Sequence, residues 1–290
     1  MKRFLKLERE KKIEEFLKTY SLGKKFEASG VCVKDANLYV IFDNLNHIAR
    51  IGSDLSVENQ ANGIFLQPGT KDGYEDICFS EDTRSFFLLI EASKTGSKKY
   101  RSKIIEYDES LCFKTEKTVN FTLEEGNKGL EGLASVYREG LLYLLGLCEG
   151  NHCLGEEGEN MIGNGRILIL QEGRNEWECI QTVSIPSTAA FLDYSAIDIK
   201  DNRVVVTSQK SSALWVGRLN PEHWEFADLG SLFYFPNSDP GKIDYCNVEG
   251  IAWLDDDRVA TVSDKAKSDG RSNHCRKRDE SIHLFRFPAY

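Results

Sequence analysis

The sequence predicts an all-β fold, a single five-bladed β-propeller closed by an N-terminal strand. Three observations predict it: a short signature occurs five times, a β-rich run follows each copy, and the copies are spaced by about 50 residues. The 290 residues, of which 41% are hydrophobic and 11% aromatic, are enough to bury the core of one large all-β domain.

Each copy of the signature is an apolar residue, then Ser or Glu, then a small or acidic residue, then Val, Leu or Ile. The polar second positions are Ser29, Glu75, Glu131, Ser195 and Glu249. The intervals between them are 46, 56, 64 and 54 residues. Such intervals are typical of four-stranded propeller blades, so we expect one blade to start near each of these positions.

A polar turn and a run of β-forming residues follow the signature. The runs are 38–42, 86–90, 142–145, 204–207 and 259–262, and a third strand closes most units at 104–107, 166–170, 214–216 and 282–285. Apolar and aromatic positions dominate these runs, which predicts that they form the core of the blades.

The repeat leaves one N-terminal apolar run unexplained. Residues 16–22 would supply the outer strand that the last unit lacks, and this closure would remove sheet edges that invite aggregation. The propeller would then occupy residues 16–290, after a charged N-terminal extension over residues 1–15. We expect a short helix over residues 5–15 of that extension.

The five polar positions stand at the start of each innermost strand, where five chains crowd one axis. Three carboxylates held close together cannot all stay ionised without compensation, because like charges raise one another's pKa. Ca²⁺ removes this conflict, since it accepts carboxylate, hydroxyl, carbonyl and water oxygens in irregular geometry. The sequence therefore predicts an axial Ca²⁺ held by Ser29, Glu75, Glu131, Ser195 and Glu249. The alternative is structural: these side chains bond to backbone groups and recur because the blades repeat.

The order Ser, Glu, Glu, Ser, Glu at these intervals resembles the calcium-activated nucleotidase (apyrase) family. That resemblance implies a five-bladed propeller and a calcium-binding role for the same five positions. The family places a glutamate where this chain has Gly30, and an acidic-acidic-arginine cluster where this chain has Phe42-Asp43-Asn44. The strings at 131–134 and 249–252 also resemble uncharacterised bacterial and phytase-like propellers.

Loops between second and third strands open on the face where the innermost strands start. They would ring the axial site, which makes this mouth the expected binding surface. Polar and basic residues there predict a bound phosphate or carboxylate ligand. The ligand-binding candidates are Lys94, Arg101, Gln209, Lys210 and Lys265. The alternative is that these loops are charged only because they are solvated.

Two functions follow from this arrangement. The first is a calcium-binding module whose mouth holds a small anionic ligand or a protein partner. The alternative is a calcium-dependent hydrolase of phosphate esters or anhydrides, in which the metal polarises a phosphoryl oxygen or activates water. Its candidate catalytic bases, each at the start of a mouth loop, are Asp43, Glu91, Glu149 and Asp264.

Composition excludes other classes. A net charge of −9 provides no basic field for nucleic acid, and no signal peptide or membrane span is visible. We expect a cytoplasmic monomer with reduced thiols, without a nucleic-acid or membrane partner.

The tripeptide Asn-His-Cys occurs at 151–153 and again at 273–275, and two such pairs could bind zinc if the loops meet. Chance in two unrelated loops is the alternative.

Overall fold

The computed structural model describes residues 2–18, 20, 25–66, 73–96, 99–123, 129–149, 153, 162–163, 165–238, 242–265 and 273–289. These ranges contain an antiparallel, almost wholly β structure. Five innermost strands are β2 (Ala28–Lys34), β6 (Tyr74–Ser80), β10 (Leu130–Arg138), β14 (Ala196–Lys200) and β18 (Val248–Trp253). Each is followed by a second strand: β3 (Asn37–Phe42), β7 (Ser85–Gly96), β11 (Leu141–Cys148), β15 (Arg203–Ser208) and β19 (Arg258–Ser263).

Third and outer strands complete the sheets. The third strands are β4 (Leu45–Gly52), β8 (Lys99–Asp108), β12 (Arg166–Glu172), β16 (Ala213–Arg218) and β20 (Ser281–Arg286). The outer strands are β5 (Gly63–Leu66), β9 (Phe113–Asn120), β13 (Glu176–Ser184), β17 (Ser231–Tyr234) and, from the N-terminus, β1 (Lys6–Lys12). Two one-turn helices are α1 (Ile13–Phe16) and α2 (Asn273–Arg276). No helix among the described residues is long and apolar enough to cross a membrane.

The strands form three four-stranded sheets and one eight-stranded sheet. The larger sheet consists of two antiparallel meanders, β6 to β9 and β10 to β13. Their outer strands β9 and β13 pair in parallel over Thr118–Asn120 and Glu176–Glu178. Ion pairs reinforce this junction, including Lys117 Nζ to Glu172 Oε1 at 2.7 Å.

The innermost strands contact one another in a closed cycle, in the order β2, β6, β10, β14, β18 and back to β2. Their backbones approach so closely that small residues are required. A Cβ added to Gly250 would lie 2.9 Å from Cα of Gly30, and one added to Gly30 would lie 2.7 Å from Cα of Asp76. This explains why a small residue usually follows the polar position of the signature.

Hydrophobic clusters fill the spaces between successive meanders around this cycle. Trp215, which is 0% exposed, packs between β14–β17 and the preceding meander and meets Phe226 edge-on. Most apolar residues of the β-rich runs lie in these clusters. The prediction that these runs form the core is therefore confirmed.

An N-terminal strand does complete the last sheet, but at residues other than those predicted. Strand β1 (Lys6–Lys12) pairs antiparallel with β20, and the helix α1 follows it instead of preceding it. Residues 16–22 do not form the closing strand: Phe16 ends α1, and Phe16 and Leu17 are buried in the core. Residues 19 and 21–24 lie outside the described ranges. An edge strand held by backbone bonds and charged side chains carries no apolar alternation, so periodicity missed it.

Candidate functional site

The five polar positions of the signature coincide with irregularities at the start of the innermost strands. The pairing register skips one residue in four of these strands, at Ser29, Glu75, Glu131 and Glu249. Ser195 behaves similarly, because its N–H donates to Thr207 O at 3.0 Å while the next residue, Ala196, is the one paired with Thr207. Two residues facing one is the geometry of a β-bulge, which redirects the extra side chain.

Glu131 marks the place where the carboxylates converge. Burial and the nearby charges of Glu75, Glu149 and Glu249 raise the pKa of Glu131 well above its usual range, as does a hydrogen bond with Glu75. Three of the predicted calcium ligands, Glu75, Glu131 and Glu249, are thus brought within electrostatic range of one another. Such a group needs a bound proton or a cation to offset its repulsion.

The two serines of the column have different surroundings. Ser29 is 4% exposed, and its Oγ has no hydrogen-bond partner among the described residues. Ser195 Oγ donates to Val248 O at 3.0 Å and lies 3.1 Å from Thr207 Oγ1. Ser29 therefore offers buried oxygen lone pairs, whereas Ser195 links the start of β14 to the start of β18.

A hard cation fits this oxygen-rich donor set in its chemistry. Within the described ranges, however, no three His, Cys, Asp or Glu side chains are gathered as a group that could hold a metal ion. Ser29 and the three glutamates would be its protein ligands, and Ser195 could join them through an unused lone pair. The calcium ligand set remains a prediction.

Three of the four candidate bases begin loops beside this column. In each case the backbone N–H donates to the carbonyl of the residue that stands two positions before a polar position of the signature. The bonds run from Asp43 N to Glu27 O (2.9 Å), Glu149 N to Gly129 O (3.1 Å) and Asp264 N to Asn247 O (3.0 Å). The Glu149 carboxylate lies within electrostatic range of Glu131. Glu91 lies within β7, and its side chain is outside the described residues.

The predicted ligand-binding residues are spread along the mouth. Lys94 and Arg101 lie on the long hairpin formed by β7 and β8, where the sequence suggested a loop. Arg101 donates to Glu176 Oε2 at 3.1 Å, so its charge is paired with β13. Lys210 donates its backbone N–H to Asp193. Gln209 lies in the turn after β15, and Lys265 in the segment after β19.

Sequence analysis missed Asp193, a carboxylate at the mouth. Asp193 is 4% exposed, and it accepts hydrogen bonds from Ser208 Oγ and from the backbone N–H of Lys210. Burial raises the pKa of Asp193, and the hydrogen bond from Ser208 partly offsets that rise. It stands two residues before Ser195, and the corresponding positions of the other copies are not aspartate, so the repeat gave no signal.

Asp76 and Asp198 were also missed. Each accepts the N–H of the following residue and an N–H of the next innermost strand. The cross-strand bonds are Leu133 N to Asp76 Oδ2 (2.8 Å) and Trp253 N to Asp198 Oδ2 (2.7 Å). Burial raises the pKa of Asp76 well above its usual range and that of Asp198 to about 7.

Two disulfides correct the expectation of reduced thiols. Cys148 bonds to Cys153, and Cys246 bonds to Cys275, with Cα–Cα distances of 5.4 and 5.5 Å. The zinc hypothesis for the repeated Asn-His-Cys tripeptide is wrong as well, because both of its cysteine sulfurs are bonded to other cysteines. His152 and the side chain of His274 lie outside the described residues.

A serine, a histidine and a glutamate form a second polar cluster that sequence analysis did not assign. Ser263 Oγ lies 2.9 Å from His283 Nε2, and His283 Nδ1 lies 2.9 Å from Glu10 Oε2. This order resembles a nucleophile, a base and an orienting acid. Ser263 and His283 are, however, 2% and 0% exposed, and Arg278 pairs with Glu10. The cluster therefore ties β19, β20 and β1 together.

Comparison with solved structures supports a propeller-like fold. The PQQ-bound aldose sugar dehydrogenase from Streptomyces coelicolor is 13% identical, with a TM-score of 0.53 and 99% of each chain covered. The WD40 repeats of RRP9 are 8% identical (TM-score 0.49, 98% of this chain and 100% of that one). Regucalcin from Agrobacterium tumefaciens is 7% identical (TM-score 0.49, 91% and 90%). At these identities the likeness concerns the fold alone.

The sequence matches no family model and no curated protein. The resemblance to calcium-activated nucleotidases and phytase-like propellers therefore stays a prediction. The fold is established at a coarser level: an all-β, propeller-like ring of antiparallel meanders.

Proposed function

We propose that this chain is a five-bladed β-propeller that binds Ca²⁺ on its axis and receives a small anionic ligand or a protein partner at its mouth. The count of five rests on reading the eight-stranded sheet as two blades. Each of its two meanders has its own innermost strand and its own bulged polar residue, Glu75 or Glu131. Among the described residues, the strand pairing between the two meanders is made by the outer strands β9 and β13.

The convergence of carboxylates around Glu131 is the main observation that supports the proposed calcium site. The charged groups that raise the pKa of Glu131 are the carboxylates of Glu75, Glu149 and Glu249. The buried Oγ of Ser29 adds a neutral oxygen to the set. Ca²⁺ suits such a mixed, irregular donor set better than Mg²⁺, which demands octahedral geometry.

A calcium-binding module is the function we favour. The charged side chain of Arg101 is paired with Glu176, and Lys210 donates its backbone N–H to Asp193. Neither arrangement assembles the converging cationic groups that would orient a phosphoryl substrate. Lys94, Lys210 and Lys265 would instead attract an anionic ligand or an acidic partner surface through charge.

One observation favours the hydrolase alternative. Glu149 begins a mouth loop and lies within electrostatic range of Glu131, so it could accept a proton from a water beside the metal. The test is calcium-dependent release of phosphate from nucleotides and sugar phosphates, with Glu149→Gln as the variant. Turnover that requires both calcium and Glu149 would establish the hydrolase, and absence of turnover would leave the binding module.

Thermal unfolding of chelator-treated protein tests the calcium site itself. Added Ca²⁺ should raise the melting temperature, because an ion that binds only the folded state stabilises it by mass action. Mg²⁺ and Zn²⁺ should have smaller effects at equal concentration. Elemental analysis before titration shows whether the chelator removed the ion. If stripped protein shows no shift with Ca²⁺, the axial column is structural.

A further inference from the structure

The two disulfides lie at the same end of the ring as the axial carboxylates, but they differ in exposure. Cys148 is 0% exposed and Cys153 is 4% exposed. In the other bond Cys275 is 4% exposed, whereas Cys246 is partly exposed. A thiolate has to reach a sulfur atom to open a disulfide. The Cys246–Cys275 bond is therefore the more open of the two to a reductant.

Cys246 begins the segment that leads to the axial Glu249. The next residue, Asn247, is 3% exposed, its carbonyl accepts the N–H of Asp264, and its Oδ1 has no hydrogen-bond partner among the described residues. The residue after that, Val248, accepts the hydroxyl of Ser195. Movement of Cys246 would therefore be transmitted within three residues to an axial carboxylate.

The partner cysteine links this segment to α2. Cys275 lies in α2, and its carbonyl accepts the N–H of Arg278 at 2.9 Å. The Arg278 guanidinium lies 5.0 Å from the ring centroid of Tyr245, the residue before Cys246. The disulfide thus clamps the 245–249 segment to α2 across a sequence separation of 29 residues that includes β18 and β19.

We infer that the Cys246–Cys275 disulfide is a redox-sensitive site that sets the affinity of the axial site for its cation. With the bond intact, the segment carrying Glu249 is anchored to α2; without it, Glu249 loses one of its fixed attachments and the cation binds more weakly. This inference rests on the proposed calcium function.

The reaction is a thiol–disulfide exchange with a dithiol. One thiolate of the dithiol attacks Cys246 Sγ, the S–S bond breaks, and Cys275 leaves as a thiolate that takes up a proton. The second thiol of the reductant then displaces Cys246 from the mixed disulfide. The dithiol loses two electrons and becomes a disulfide, and both cysteines end as thiols.

The first experiment measures which bond opens. Folded protein is treated with limiting dithiothreitol, alkylated, digested and analysed by mass spectrometry. Alkylation of Cys246 and Cys275 should precede that of Cys148 and Cys153. Equal rates for both pairs, or faster labelling of Cys148 and Cys153, would overturn the assignment of the accessible bond.

The second experiment measures Ca²⁺ affinity by calorimetry before and after reduction. Reduction should weaken binding by about tenfold, a typical coupling between two sites. The double variant Cys246→Ser, Cys275→Ser should match the reduced protein and no longer respond to reductant. The control, Cys148→Ser with Cys153→Ser, should keep the response. Near-ultraviolet circular dichroism verifies that each variant is folded, and a variant that fails this check is replaced by the corresponding single Cys→Ala variant.

The failures of the two proposals are distinguishable. Equal Ca²⁺ affinity in oxidised and reduced protein overturns the redox inference and leaves the calcium site intact. A response that disappears in the Cys148/Cys153 control but persists in the Cys246/Cys275 variant also overturns it. If the oxidised protein binds no Ca²⁺, the proposed function fails, and the redox role fails with it.

Discussion

Asp198 accepts the backbone N–H of Trp253 at 2.7 Å, so a side chain of β14 bonds to the backbone of the neighbouring innermost strand β18. Asp76 makes the same kind of bond with Leu133, between β6 and β10. An innermost strand has a neighbour on only one side of its own sheet, which leaves backbone groups on the other side unpaired. Buried aspartates satisfy some of them and fix the spacing of adjacent strands.

The first prediction concerns the pH dependence of stability through Asp198. Burial raises the folded-state pKa of Asp198 to about 7, above its unfolded value, so the folded state binds the extra proton. The contribution of protonated Asp198 to the free energy of unfolding is therefore complete below about pH 4. It is lost as the pH rises to about 7, at up to roughly 1.4 kcal/mol per pH unit. Urea unfolding of the wild type and of Asp198→Asn across this range measures the difference in slope. Identical slopes would contradict the prediction.

The second prediction concerns Glu131→Gln. Without calcium, the variant lacks the repulsion between the Glu131 carboxylate and those of Glu75, Glu149 and Glu249. It should therefore be more stable than the wild type by about 1 kcal/mol. With calcium the order should reverse, because a ligand is missing. Thermal unfolding with and without Ca²⁺ measures both effects. Glu222→Gln, at an exposed position, should change neither, and an unchanged calcium shift in Glu131→Gln would exclude that residue as a ligand.

The third prediction concerns the contact between Glu10 and His283. Burial lowers the pKa of His283, so the folded state binds fewer protons than the unfolded state, and stability should fall as the pH drops below about 6.5. Glu10→Gln should cost about 1–3 kcal/mol and increase hydrogen exchange in β1. Glu14→Gln, at an exposed position of α1, is the matched control. If exchange in β1 is the same in both variants, the Glu10–His283 contact does not hold the strand.

The fourth prediction concerns the close approach of innermost strands. In Gly250→Ala the new methyl group would lie 2.6 Å from Val262 Cγ2 and 2.9 Å from Gly30 Cα. One of these contacts is with backbone, so overpacking should cost about 1–3 kcal/mol. In Gly63→Ala no atom lies closer than 3.7 Å, and that variant should be much less affected. Chemical denaturation of the two variants compares them directly, and equal costs would mean that the ring has room to expand.

The repeated signature was sufficient to locate the bulged residues at the starts of the innermost strands. Each polar position lies at a local backbone irregularity that recurs in every meander. The residue pattern therefore recurs as well and can be found in the sequence. The closing strand β1 was misplaced because its contacts are of another kind. Glu8 pairs with Arg286 at 2.5 Å, and Glu10 pairs with Arg278, and such charged contacts have no periodic pattern.

Parts of the site depend on contacts between distant residues, which spacing does not reveal. Asp198 is recognisable as a structural carboxylate only through Trp253, 55 positions away in sequence. The disulfide between Cys246 and Cys275 likewise depends on where α2 lies. Glu149, by contrast, could be selected from sequence, because a residue that directly follows a second strand must emerge beside the axis.

The parallel pairing of β9 with β13 divides the ring into mechanically unequal parts. The two meanders that it joins share one continuous hydrogen-bonded sheet, so they cannot separate without breaking several backbone bonds at once. Among the described residues, the other link of this kind is a single parallel bridge between Phe4, just before β1, and Tyr234 of β17. Under load or in denaturant, the ring should therefore open elsewhere along its circumference, and the doubled sheet should persist as the last cooperative unit to unfold.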